Sequence, residues 1–158
     1  MKNLLLIAIL IISNCLFSQE ISVKGKWTWP SGRNWISDLN EAGNDYVGTY
    51  ESDHDETKIT INAKHKNQQT VVNIHKEDNG DWHTELILEI QRTDRGTNNN
   101  YSIYDGLSYQ IIGDTDTRFF YTYDDQKDVP IQYRISGISV TLPVKDYSTT
   151  IVFTVYDY

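Results

Sequence analysis

Cysteine is nearly absent from this sequence, since Cys15 is the only one in a chain of 158 residues. A disulfide bond joins two cysteines, so the chain cannot be cross-linked to itself. Proline is also rare, and its three residues exclude a proline-rich linker or stalk. The fold must therefore be held by side-chain packing and backbone hydrogen bonds, without a covalent staple.

Positive charge is scarce as well. The chain has 14 lysines and arginines against 22 aspartates and glutamates, and its formal net charge is -8 at pH 7. An acidic protein of this kind repels the phosphates of DNA and RNA. We therefore expect no nucleic-acid partner.

Helical periodicity and catalytic motifs are both missing. No window of about ten residues carries apolar side chains at the i, i+3, i+4 spacing of an amphipathic helix. The sequence lacks the Gly-x-Ser-x-Gly motif of serine hydrolases and the glycine-rich loop that binds phosphates. We therefore expect a binding protein without a cofactor, and not an enzyme.

An apolar run occupies residues 4–12, two positions after Lys2. A charged residue followed by a run about half as long as a membrane-spanning helix is typical of a secretory signal peptide. We predict cleavage after the small residue Ser18. Residues 1–18 are then a signal peptide, and residues 19–158 form one exported β domain, periplasmic or extracellular.

A lipoprotein signal is the alternative interpretation of the same segment. Ile12-Ser13-Asn14-Cys15 is similar to the motif that precedes lipidation in bacteria, with Cys15 as the acylated residue. The protein would then be anchored to a membrane through Cys15. A chain cut after Ser18 instead contains no cysteine and has no membrane contact of this kind.

Short β-branched and aromatic segments run through the rest of the chain, separated by clusters of Gly, Asn and Asp. They predict strands at 20–29, 34–39, 45–52, 57–65, 69–77, 81–92, 101–112 (broken near Gly106), 117–124, 130–142 (bent at Gly137) and 149–157. Strands that follow one another every 10–12 residues, roughly, are typical of antiparallel barrels and sandwiches. We predict an all-β fold, a small antiparallel β-barrel, with a β-sandwich as the alternative.

Two short motifs resemble the calycins, the family of lipocalin and avidin-like up-and-down barrels. Val23-Lys24-Gly25-Lys26-Trp27 is similar to their Gly-x-Trp opening, and Val47-Gly48-Thr49-Tyr50-Glu51-Ser52 resembles the second-to-third strand region of avidins. The resemblance implies a barrel, and it places Tyr50 and Ser52 where avidins line their biotin pocket. The later tryptophans of avidins are not matched, so biotin binding is not implied.

Aromatic side chains concentrate early in the mature chain, and they carry the main functional hypothesis. Tyrosine and tryptophan can stack on a ligand while their polar tips form hydrogen bonds. We expect a small, partly apolar ligand in a barrel pocket lined by Trp29, Trp35, Tyr46, Tyr50 and Ser52. The alternative role of the same aromatic side chains is to fill the core of a fold without disulfides.

A protein-binding function is the second hypothesis. The later strands carry another aromatic group, which includes Phe119, Phe120, Tyr121 and Tyr123. Tyrosine-rich surfaces bind proteins well because two χ angles limit the entropy lost on binding. The protein would then be an envelope inhibitor or accessory subunit. An open apolar cavity favours the ligand hypothesis, and a filled core with a flat tyrosine surface favours the partner hypothesis.

Two turns predict hairpins. A turn after Ser52 would pair that residue with Thr57. A three-residue turn at Asp78-Asn79-Gly80 would align the apolar faces of the flanking strands and set His75 directly opposite His83. Two opposed imidazoles are weak candidates for a zinc or copper site, and an exposed polar pair is the alternative.

Overall fold

The computed structural model describes residues 20–28, 48–63, 67–78, 80–97, 103–139 and 141–158. The predicted signal peptide, Cys15, Trp29, Trp35 and Tyr46 lie outside these residues. The described residues form ten strands: β1 (Glu20–Lys24), β2 (Tyr50–Glu51), β3 (Thr57–Asn62), β4 (Thr70–Glu77), β5 (Ile87–Arg92), β6 (Ile103–Tyr104), β7 (Gln110–Ile111), β8 (Thr117–Thr122), β9 (Gln126–Ser136) and β10 (Thr150–Asp157). Within these ranges no helix is long and apolar enough to cross a membrane.

The strands form two antiparallel sheets. Sheet A has the order β1-β3-β9-β5-β7, and β2 also pairs with β9. Sheet B has the order β10-β4-β8-β6. The predicted all-β antiparallel fold is confirmed. Over the described ranges the sheets do not close into a barrel, and their arrangement matches the sandwich alternative.

The core is formed by apolar side chains at alternate positions of the strands, because successive side chains of a strand point to opposite faces of the sheet. Ile59 and Ile61 of β3 are fully buried, and so are Val72 and Ile74 of β4. One hydrophobic cluster joins residues of both sheets: Ile59, Ile61, Val72, Ile74, Leu88, Ile90, Ile103, Ile112, Phe119, Phe120, Val129, Ile131 and Tyr133. Burying each large apolar side chain contributes about 1.5–3 kcal/mol, which explains how a chain without disulfides holds two sheets together.

The predicted hairpin between β4 and β5 is wrong, because these strands belong to different sheets. The main-chain N–H of Leu86 donates to the carbonyl of His83 at 3.0 Å, and the Trp82 indole N–H donates to the carbonyl of Leu86 at 3.1 Å. These bonds close a turn where the sequence predicted a strand. The turn leads the chain from sheet B to sheet A, so β4 and β5 do not pair. A hairpin of the two strands would nevertheless have aligned their apolar faces.

The predicted pairing of Ser52 with Thr57 is also wrong. Tyr50 lies opposite Ile135, and Thr57 lies opposite Ile131, so β2 and β3 follow the same β9 strand one after the other. The Ser52 N–H still donates to the carbonyl of Tyr133 at 2.9 Å. The chain therefore makes a short excursion and returns to β9 without reversing.

Candidate functional site

Tyr50 and Ser52, the described members of the predicted pocket, are both buried. Tyr50 is 7% exposed and packs with Leu86 and Ile135. The Ser52 hydroxyl accepts a hydrogen bond from the Tyr133 N–H at 2.9 Å and donates one to the Asp53 carbonyl at 3.0 Å. In the structure both side chains thus contribute to packing and to the β9 junction. The pocket hypothesis stays a prediction.

The two histidines do not face each other. His75 lies opposite Val152 of β10, whereas the ring of His83 contacts Tyr147 edge-on at 6.2 Å. The predicted register was the geometric basis of the zinc or copper hypothesis, which therefore loses that basis. In the part of the chain that the structure describes, no group of three or more His, Cys, Asp or Glu side chains could hold a metal ion.

Four tyrosines, Tyr104, Tyr121, Tyr123 and Tyr156, lie on the outer side of sheet B, and we call them the tyrosine face. The register builds it strand by strand: Tyr156 lies opposite Val71, Val71 opposite Tyr121, and Tyr121 opposite Tyr104. Paired residues of antiparallel strands point to the same side of the sheet. The row across all four strands of sheet B therefore consists of Tyr156, Val71, Tyr121 and Tyr104.

The rings of the tyrosine face are packed against each other. Tyr104 and Tyr121 are stacked at 4.9 Å with an interplanar angle of 12°, and Tyr123 stands edge-on to both, at 6.1 and 6.0 Å. Such aromatic pairs contribute about 0.5–1.5 kcal/mol beyond the area they bury. The cluster nevertheless remains open to solvent, since Tyr104 is 41% and Tyr123 is 39% exposed.

Val71 shows how closely the tyrosine face covers the sheet. This residue points outward, between Tyr156 and Tyr121, yet it is only 5% exposed. The flanking side chains therefore form a layer over the outer side of the sheet. A preformed layer loses little entropy when it binds a partner.

Charged groups border the tyrosine face. The Arg118 guanidinium lies 5.6 Å from the centre of the Tyr121 ring and forms an ion pair with Asp105 at 3.3 Å. Both Arg118 and Asp105 also line a depression beside the tyrosines, together with Leu107, whose side chain is 59% exposed. The tyrosine rings therefore adjoin a concave surface whose lining is mostly polar.

A buried arginine fixes the position of Tyr104. Arg92 is 3% exposed, and its guanidinium donates to the carbonyls of Ile103 and Asp105, on either side of Tyr104. The Arg92 N–H also donates to the Gly106 carbonyl at 2.7 Å. Strand β6 has only two residues, so these bonds add to a ladder with β8 that is short.

An ionic network lies at the other side of the tyrosine face. His75 Nδ1 is 2.6 Å from Asp116 Oδ1, and its Nε2 is 3.5 Å from Glu77 Oε1. The Tyr156 hydroxyl donates to the second oxygen of Asp116 at 3.0 Å. The hydrogen bond to Asp116 raises the pKa of His75 above its ordinary value, and Glu77 adds to the effect.

We expect this network to make the stability of the fold depend on pH. Because the pKa of His75 is higher in the folded protein, its protonation stabilises the fold below about pH 6.5, and this stabilisation is lost as pH rises through the raised pKa. NMR titration of the His75 imidazole measures the pKa. Asp116→Asn should bring it back towards its ordinary value, and an unchanged titration in that variant would contradict the assignment.

The sequence indicated only part of this site. Tyr121 and Tyr123 stand at alternate positions of a predicted strand, so a shared face could be expected for them. Tyr104 and Tyr156 come from strands that pair far along the chain, and only the register joins them. The sequence did not indicate a role for Arg92, since a polar residue is common at the end of a predicted strand.

Comparisons with known proteins give no assignment: no family model, no curated protein and no solved structure matches this chain. The calycin resemblance of the two short motifs stays an expectation. The function must therefore be argued from the described geometry.

Proposed function

We propose that this protein is an exported protein-binding module whose contact surface is the tyrosine face. The observation that carries the proposal is the exposed ring cluster of Tyr104, Tyr121 and Tyr123. Tyrosine and arginine are among the residues that dominate the energetics of protein interfaces, and Arg118 lies directly against this cluster. The surface thus combines the side chains that such interfaces favour.

The polar groups of the cluster support a protein partner. Tyr104 and Tyr121 contact each other through one ring face each, so these two faces do not stack on a ligand. Within the described ranges, the hydroxyls of Tyr104, Tyr121 and Tyr123 have no hydrogen-bond partner. The cluster offers ring edges and hydroxyl groups, which suit a protein surface with main-chain and side-chain polar groups.

The buried state of the predicted pocket residues also supports this proposal. Tyr50 and Ser52 are 7% and 8% exposed, and the Ser52 hydroxyl is used within the fold. A small ligand bound beside Trp29, Trp35 and Tyr46 remains the competing hypothesis. The two hypotheses differ in the mass of the bound molecule and in the residues on which binding depends.

Native mass spectrometry of the protein isolated from its own cells tests the proposal. We expect an added mass of several kilodaltons or more, from a protein. An added mass below about 1 kDa would instead support the small-ligand hypothesis, since pockets bind molecules of drug-like size.

We expect Tyr104→Ala to weaken binding of that partner at least tenfold, because truncating a central aromatic side chain of an interface costs about 2 kcal/mol or more. Isothermal titration calorimetry measures the change. Tyr158→Ala is the matched control: Tyr158 is 73% exposed and lies outside the ring cluster, so its removal should change affinity less than twofold. Equal affinities of the two variants would contradict the proposed surface.

A further inference from the structure

Strand β10 stands at the end of sheet B and has one unused edge. It pairs with β4 over all eight of its residues, without a shift in register. In the described ranges no strand pairs with its other side. An open edge of this length offers a row of N–H and C=O groups to another strand.

The register identifies which groups point away from the sheet. The Tyr158 N–H donates to the carbonyl of Gln69, its direct partner in the continued ladder. Hydrogen-bonded pairs alternate along an antiparallel ladder, so Thr154 and Val152 also bond to β4. The N–H and C=O groups of Ile151, Phe153 and Val155 therefore point to the open edge.

This edge lacks the features that normally prevent strand pairing. Natural proteins protect edges with lysine, proline, bulges or very short strands. From Thr150 to Tyr156 the sequence is Thr-Ile-Val-Phe-Thr-Val-Tyr, without a charge or a proline. The other end strands differ, since β6 and β7 have two residues each and β1 begins with Glu20 and ends with Lys24.

The inward side chains of β10 are incompletely covered. Ile151, Phe153 and Val155 pack against the core cluster, yet they are only partly buried. A strand added beside them would cover more of their apolar surface, which is favourable by about 25 cal/mol for each Å² removed from water.

We propose that β10 pairs with β10 of a second copy of this chain, antiparallel and about a two-fold axis at Phe153. Phe153 then lies opposite the partner subunit's Phe153, and Ile151 lies opposite the partner subunit's Val155. All of these residues direct their free backbone groups to the shared edge, so the pairs exchange two hydrogen bonds each. The two copies of sheet B become one continuous sheet.

The uncharged sequence of β10 suits a second copy as the occupant. Two chains of net charge -8 repel each other, and like charges directly opposite are destabilising in a sheet. The pairing places only uncharged side chains opposite one another from Thr150 to Tyr156. This segment is therefore a part of the acidic molecule that can meet its own copy without bringing carboxylates together.

Sedimentation velocity of the purified protein at increasing concentration tests the proposal, with Val155→Pro and Val155→Ala as matched variants. Proline removes the backbone N–H of residue 155 at the open edge. Alanine also removes the valine side chain but keeps this N–H. We expect dimers in the wild type and in Val155→Ala, with a Kd at least tenfold higher in Val155→Pro. A wild type that stays monomeric throughout, or equal Kd values for the two variants, would overturn it.

Hydrogen exchange of the wild type provides a test that does not depend on the folding of a variant. We expect the Phe153 amide to exchange at least tenfold more slowly when the protein is dimeric than when it is monomeric. The amides of Val152 and Thr154 already bond to β4 and serve as internal controls that should change much less. Dimerisation without slower exchange at Phe153 would place the interface elsewhere and refute the proposed pairing.

Discussion

Gly137→Ala should destabilise the fold by about 3–5 kcal/mol, the combined cost of a left-handed backbone conformation and of steric overlap. Gly137 follows β9 directly and has a φ of +80°. A Cβ atom at this position would overlap the carbonyl oxygen of Glu85. Neither atom can move away freely, because the overlap is with main chain and not with a flexible side chain. Urea unfolding measures the loss.

Gly80→Ala separates the two contributions. Gly80 has nearly the same φ, +81°, but a Cβ atom there would have no neighbour within 4 Å. We expect this variant to lose only about 1–2 kcal/mol, the conformational cost alone. Equal losses at the two positions would show that the close approach of Gly137 to Glu85 does not contribute.

Replacing Arg92 by methionine should cost about 2–4 kcal/mol, because it takes the donor from the buried Ile103 carbonyl and removes two further, part-buried hydrogen bonds. The guanidinium donates to Ile103 and Asp94 at 3.4 Å each and also to Asp105. Burial lowers the pKa of Arg92 below its ordinary value, because the charged guanidinium is removed from water. Hydrogen bonds to the protein replace those that the guanidinium would form with water. Methionine fills a similar volume but offers no donor.

Arg95→Met is the control for Arg92→Met, since Arg95 is exposed and its loss should change stability by less than about 0.5 kcal/mol. Because Arg92 holds the residues on both sides of Tyr104, its replacement should also weaken the near-UV circular dichroism of the stacked tyrosines. A loss of stability with an unchanged tyrosine signal would mean that Arg92 does not position the tyrosine face.

Local patterns predicted which residues are inside better than they predicted which strands are neighbours. Ile59 and Ile61 alternate with polar residues, and both are fully buried as that alternation requires. Any partner strand with the same alternation of apolar and polar residues fits this pattern, so the pattern does not identify which strand is the neighbour. The composition of residues 81–86, which include Trp82, is typical of a strand, although local hydrogen bonds hold these residues in a turn.

The candidate site was less predictable than the core. The group that includes Tyr121 and Tyr123 could be identified from sequence, but the face they form depends on β6 and β10, which lie on either side in space and not in sequence. Tyr50 and Ser52, which were predicted to line a pocket, are both buried. Composition alone could not distinguish a residue that lines a pocket from one that fills a core.

The late position of β9 in the chain constrains when the protein can fold. β3 and β5 do not pair with each other, and β9 is the strand that joins them. Before Gln126 has been synthesised, sheet A consists of two separate strand pairs. Sheet B is likewise incomplete until β10 has been synthesised, since β10 pairs with β4 and its Asp157 lies opposite Thr70. A topology dominated by such distant pairings folds slowly, and neither sheet can be completed before β9 and β10 have been synthesised.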